Sequence, residues 1–130
     1  MKDLFKGRIY YEDTDAGGIV YYANYLKFAE RARTELLRKA GFSQRYLATS
    51  HNLLFVVKKA DLDLLKPFYL DDEYLIKSEI SASKAASLTF KQEFFLAKQK
   101  HAVINVLIVA VNQKFRPVII PKSLKEKLLA

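Results

Sequence analysis

The sequence predicts an α+β fold in which a curved antiparallel sheet of about five strands wraps one long helix, with a short helix at the C-terminus. Three observations lead there. Only one segment, from Tyr25 to Ala40, keeps apolar side chains at three- and four-residue spacing over several turns. Segments with two-residue alternation occur once before it and four times after it. Four successive strands following a single helix imply antiparallel pairing, and that helix is the only large element able to cover the sheet.

Each element has its own signal. Residues 4–11 alternate, with Phe5, Ile9 and Tyr11 on one side and Lys6, Arg8 and Tyr10 on the other, so a first strand is expected there. The turn Asp13-Thr14-Asp15-Ala16-Gly17-Gly18 follows, and its two glycines allow a tight reversal before the helix. Along the helix Tyr25, Phe28, Ala29, Ala32, Leu36 and Ala40 form the apolar face, and Ala29 and Ala32 permit a close approach of the helix axis. Arg38 and Lys39 in the last turn suit the negative end of the helix dipole, and Gly41 terminates it. Residues 43–52 are polar and long enough for one or two helical turns. The run 53–65 begins continuously apolar and then alternates, which predicts a strand that leaves a buried region and becomes one-faced before Pro67 ends it. Further strands are expected over 74–81, 88–96 and 103–111, with turns at 83–86 and 98–101; the last strand is the most apolar and is expected centrally in the sheet. Ser123 with Glu126 three residues on matches a capping box for a final helix over 124–129.

Composition restricts the function classes. A chain of 130 residues is expected to form one domain, residues 1–130, with a core large enough to need no staple. With no Cys there are no disulfides, thiolate nucleophiles or thiolate metal ligands, which fits a reducing compartment, and no signal-peptide pattern opens the chain, so a cytoplasmic location is expected. The apolar segment 102–111 is about half the roughly 20 residues of a membrane-spanning helix, so membrane association is expected to be peripheral at most. The formal charge of +8 is scattered over all segments without an Arg/aromatic stripe, and no nucleic-acid partner is expected.

The acidic turn is the candidate site. Asp and Gly are what tight turns select, so turn chemistry alone accounts for the residue types. A carboxylate beside a helix N-terminus also has chemical potential, because backbone N–H groups can polarise a carbonyl that the carboxylate attacks or toward which it activates water. No second acidic cluster or His pair supports a metal, and no cofactor motif is present. The two histidines, His51 and His101, fall in expected surface connections. Tyr10, Tyr11, Tyr21, Tyr22 and Tyr25 crowd the turn, as core aromatics or as the lining of an acyl pocket.

The segment YYEDTDAGGIVYYANYLKFAERARTELLRKAGF, residues 10–42, with the late R-P-x-x-I-P at 116–121, resembles the hotdog-fold acyl-CoA thioesterases. Within them it is similar to the 4-hydroxybenzoyl-CoA thioesterase branch and its Tol-Pal-associated acyl-CoA thioesterase members. The resemblance implies hydrolysis of short-chain or aromatic acyl-CoA, with Asp15 as nucleophile or general base and the backbone N–H of Tyr22 as oxyanion donor. It implies CoA-phosphate contacts at Lys84 and Arg116, and a homodimer or homotetramer with active sites at the dimer interface. Tol-Pal-associated members commonly carry His where this chain has Tyr22, whereas the 4-hydroxybenzoyl-CoA enzyme has Tyr. An acyl carrier protein is a further implied partner. Two readings without catalysis stand beside this one: a hotdog ligand sensor, and a basic scaffold binding acyl-CoA or acyl carrier protein.

Overall fold

The computed structural model describes residues 1–130. In chain order it contains β1 (Lys2–Arg8), a 3-10 turn (Tyr11–Asp13), α1 (Asn24–Lys39), α2 (Gln44–His51), β2 (Leu54–Leu64), β3 (Glu73–Lys84), β4 (Ser87–Leu96), β5 (Gln99–Val111) and α3 (Lys122–Leu129). The strands form one antiparallel sheet in the order β1-β3-β4-β5-β2, so β1 and β2 are its edges.

α1 buries the face that its periodicity marks, with Tyr25, Phe28, Ala29, Ala32, Leu36 and Leu37 out of solvent. The two alanines bring the helix backbone within reach of the sheet. Gln92 of β4 donates from Nε2 to the Ala29 carbonyl (2.9 Å) and to Ser78 Oγ (3.0 Å), and its Oε1 accepts from Arg33 Nη1 (3.0 Å). A polar bridge thus joins the middle of α1 to two strands inside the apolar layer, where each buried polar group finds a partner. Gly41 closes α1 at φ +89°, in the left-handed region that favours glycine. α2 makes two turns, capped by Ser43 Oγ accepting from the Tyr46 amide at 3.0 Å.

Several expectations are corrected. The first strand ends at Arg8, because Asp13 Oδ2 accepts from the Tyr10 amide and folds Tyr11–Asp13 into a 3-10 turn. β2 does leave a buried region, since Leu53 is buried and Leu54–Val56 half-buried, but it does not keep one covered face: it is an edge strand, and from Val57 on every residue except the half-buried Leu62 is exposed. The middle place belongs to β4, with the apolar β5 beside it. β5 begins at Gln99, since Ala97 in the left-handed region (φ 53°) makes the β4–β5 reversal tighter than residues 98–101 allowed. His101 therefore lies in a strand and is buried rather than on the surface, while His51 is exposed. The Ser123 capping box does not form: α3 starts two residues earlier than expected, with Pro121 at its N-cap.

Candidate active site

The two carboxylates of the acidic turn have different surroundings. Asp13 is committed to the backbone: Oδ2 accepts from Tyr10, and its carbonyl accepts from the Tyr21 amide (3.1 Å) and from Asn24 Nδ2 (2.9 Å). These bonds tie the end of the 3-10 turn to the start of α1. Asp15 is held by its main chain, its N–H donating to the Ile19 carbonyl (2.9 Å) and its carbonyl accepting from the Gly18 amide (3.0 Å). Gly18 has φ +82°, which lets the reversal close within four residues. The Asp15 side chain accepts one bond, from the Gly17 amide to Oδ1 at 2.8 Å, and no protein group donates to Oδ2. One carboxylate is consumed by the fold, and the other is oriented with an oxygen free.

The turn is fastened on its far side as well. The Val20 amide donates to the Phe68 carbonyl (3.0 Å), and Ile19 forms a bridge with Tyr69. This leaves a cleft of 440 Å³ with Asp15, Ile19, Tyr21 and Tyr22 on one wall and Leu64, Leu65, Lys66 and Pro67 on the other, above the buried Tyr25. Burial pushes the Tyr25 phenol up from its ordinary value, so the floor of the cleft is neutral. The Tyr22 amide has no acceptor in the protein and lies two residues before the first residue of α1, at the positive end of the helix dipole. Tyr22 is 59% exposed, with its ring tilted against that of Tyr21 (centroids 5.0 Å apart), so it lines the cleft without being locked in the core.

Of the four residues expected at the site, Asp15 and Tyr22 share this cleft, and Lys84 and Arg116 do not. Lys84 ends β3, and residues 116–120 run beside the β3–β4 turn, where the Ile120 amide donates to the Ala85 carbonyl at 2.9 Å. Asp15 lies near the opposite end of β3, and twelve residues of strand span roughly 36 Å. Both basic residues are exposed. A second cleft, of 470 Å³, lies between α1 and β2 and is lined by Leu26, Glu30, Arg33, Val57 and Val106; it reaches the unpaired edge of the sheet. No group of three or more His, Asp or Glu side chains is placed to hold a metal ion. The wall formed by Leu64–Pro67 was not foreseen in the sequence; Pro67 marked only the end of a strand, about fifty residues from Asp15.

The profile of the thioesterase-like superfamily matches residues 10–128. A protein named acyl-CoA thioesterase YbgC from Haemophilus influenzae is 42% identical over 122 residues, covering 93% of this chain and 90% of that protein. The crystal structure of a probable thioesterase from Bartonella henselae superposes with a TM-score of 0.90 at 32% identity, covering 93% of this chain and all of that one. A 4-hydroxybenzoyl-CoA thioesterase mutant crystallised with 4-hydroxybenzoyl-CoA gives a TM-score of 0.90 at 17% identity, with 98% of each chain covered, and so shares the fold.

Proposed function

The chain belongs to the thioesterase-like superfamily, and from that premise we propose that the Asp15 cleft is where it hydrolyses short-chain or aromatic acyl-CoA to the free acid and CoA. The protein is an acyl-CoA thioester hydrolase. What carries the assignment of its site is one observation: a carboxylate oxygen with no donor and a backbone amide with no acceptor line the same mostly apolar cleft. Asp15 attacks the thioester carbonyl, or takes a proton from water that attacks it. Charge develops on the carbonyl oxygen, and the Tyr22 N–H at the start of α1 donates to it. The C–S bond breaks and the CoA thiolate leaves, taking up a proton; where Asp15 is the nucleophile, water then hydrolyses the acyl–Asp15 anhydride to release the acid and restore the carboxylate, while the apolar wall holds the acyl group.

Lys84 and Arg116 are too far from Asp15 to serve the same cleft, but a two-fold axis removes the distance. Antiparallel pairing of β2 with a second β2 sets the Leu54 end of one strand against the Leu64 end of the other. The β3–β4 turn and residues 116–120 lie at the Leu54 end, since Leu54 pairs with Val111. In such a homodimer, Lys84 and Arg116 of the partner subunit come to the mouth of the Asp15 cleft, where the CoA phosphates emerge. The open β2 edge and its exposed Val57 support this pairing, which gives a homodimer or, where two such dimers associate, a homotetramer. The test is thiol release from a panel of aliphatic and aromatic acyl-CoA substrates, with acyl carrier protein thioesters as a second carrier. Turnover of a short or aromatic acyl-CoA that is lost in Asp15→Asn supports the assignment. Full turnover in Asp15→Asn overturns it.

A further inference from the structure

We infer that His101 is a positioning residue that holds the acyl-facing wall of the cleft in place. This rests on reading the Asp15 cleft as the thioester site. His101 is 6% exposed and touches the wall at three points. Its carbonyl accepts from the amides of both Leu65 (2.9 Å) and Lys66 (3.0 Å), which turns the chain across the end of β5 as it leaves β2. Its Nδ1 lies 3.1 Å from the Pro67 carbonyl, and because a carbonyl only accepts, Nδ1 carries the proton in that bond. Its ring stacks on Phe68, with centroids 4.6 Å apart and planes 13° from parallel.

The consequence reaches the catalytic turn. Pro67 walls the cleft, and the next residue, Phe68, accepts from Val20 through its carbonyl, while Ile19 accepts from the Asp15 amide. The His101 backbone carbonyl holds Leu65 and Lys66, and its imidazole holds Pro67 and Phe68, the part of the segment that walls the cleft and braces the turn bearing Asp15. Leu64 is held by its pairing with Ala102 and Phe68 by burial and its bond from Val20, but between them Leu65, Lys66 and Pro67 are exposed and Pro67 has no N–H, so His101 supplies the contacts to these three residues. Asp15 keeps its own bonds to Gly17 and Ile19 whatever happens at His101. Loosening the wall should thus affect substrate binding more than the chemical step.

Two substitutions separate the contacts. His101→Phe keeps the burial and the stack but removes the donor to Pro67; His101→Asn keeps a side-chain N–H near the Nδ1 position and removes the stack. With an aliphatic and an aromatic acyl-CoA, His101→Phe should raise KM by about tenfold and narrow the preference between the two, with kcat little changed. His101→Asn should recover most of that loss. Wild-type KM and preference in His101→Phe, alongside an inactive Asp15→Asn, overturn the role of His101 and leave the site assignment standing; a fully active Asp15→Asn removes the site assignment itself. If His101→Phe does not fold, the wild-type protein decides. With ¹⁵N-labelled histidine, the His101 ring signals should shift on adding a non-hydrolysable acyl-CoA thioether at a concentration that abolishes turnover, and those of the exposed His51 should not. Unmoved His101 signals under that condition overturn the inference.

Discussion

At the scale of single residues, the site depends on an asymmetry between two aspartates two positions apart. Asp13 spends its side chain on the Tyr10 amide, whereas Asp15 keeps Oδ2 free. Asp15→Asn should lower kcat on the order of 10²- to 10⁴-fold, the range for loss of a general base, with an unchanged melting temperature. Asp13→Asn retains an acceptor oxygen and should lose far less activity; a reversed order in a kinetic comparison would reassign the pair. Tyr22 makes the complementary test, because the proposed donor is its backbone. Tyr22→Phe and Tyr22→His should stay within about tenfold of the parent, roughly 1.4 kcal/mol. Tyr22→Pro, which deletes the N–H, should cost on the order of 10²- to 10³-fold in kcat, with a melting curve taken to confirm that it folds. Elsewhere a buried phenol predicts an alkaline limit to stability. Burial pushes Tyr74 up to about 12, with the Arg31 charge opposing and the Asp13 charge adding to the rise. The unfolded chain ionises near pH 10 and the folded one does not, so the stability that Tyr74 supplies is intact below pH 10 and is lost as pH climbs toward 12. A shift from 10 to about 12 corresponds to an effect on the order of 2–3 kcal/mol. Urea titrations at pH 8 and pH 11 should show a smaller alkaline loss in Tyr74→Phe than in the parent.

Among the elements, the junction of α1 with the sheet is the place where apolar patterning and polar chemistry meet. Burial holds the Arg33 guanidinium below its ordinary pKa, with nearby Glu30 working in the opposite direction, and Gln92 accepts from it. Gln92→Leu would fill similar volume and remove three bonds at once, orphaning Arg33 and the hydroxyl of Ser78. Leaving buried polar groups without partners costs about 1–3 kcal/mol, so a chemical denaturation midpoint should fall accordingly. An unchanged midpoint would mean that water replaces the lost partners. The same geometry explains why Ala29 and Ala32 sit at the centre of the buried face: a larger side chain would push the helix carbonyl out of reach of Gln92 Nε2.

For the whole molecule, the separation of Asp15 from Lys84 and Arg116 turns oligomeric state into a functional question. If the CoA tail crosses to a partner, Lys84→Ala and Arg116→Ala should raise KM with little change in kcat, since phosphate contacts are present equally in ground and transition states. The geometry also predicts complementation. Mixing Asp15→Asn subunits with subunits carrying Lys84→Ala and Arg116→Ala yields mixed dimers in which one of the two sites has an intact carboxylate facing an intact basic pair. That site should combine wild-type kcat with wild-type KM, a combination that neither variant shows alone. No gain on mixing, after subunit exchange has been verified, would place both functions within one chain. A proline at Ala60 of β2 should abolish dimer formation in a sedimentation experiment, because it blocks ladder bonding at the edge.

The sequence by itself determined the element types and the turn that carries the chemistry. Those are local properties: the three- and four-residue recurrence from Tyr25 to Ala40, the two-residue alternation of the strands, and an aspartate–glycine turn before a helix are all decided by neighbours along the chain. Tertiary structure decided the rest. Nothing local distinguishes Asp15 from Asp13 until the Tyr10 amide claims one of them. His101 reads as a turn residue because polar Lys98, Gln99 and Lys100 precede it, and only pairing across the sheet extends β5 back through it and buries it under Pro67 and Phe68. β2 reads as a strand that leaves a buried region and keeps one covered face, but the sheet order makes it an edge, and beyond Val56 only Leu62 is even half-buried. The wall of Leu64–Pro67 meets Asp15 only after half the chain has folded back, a contact that sequence spacing does not encode.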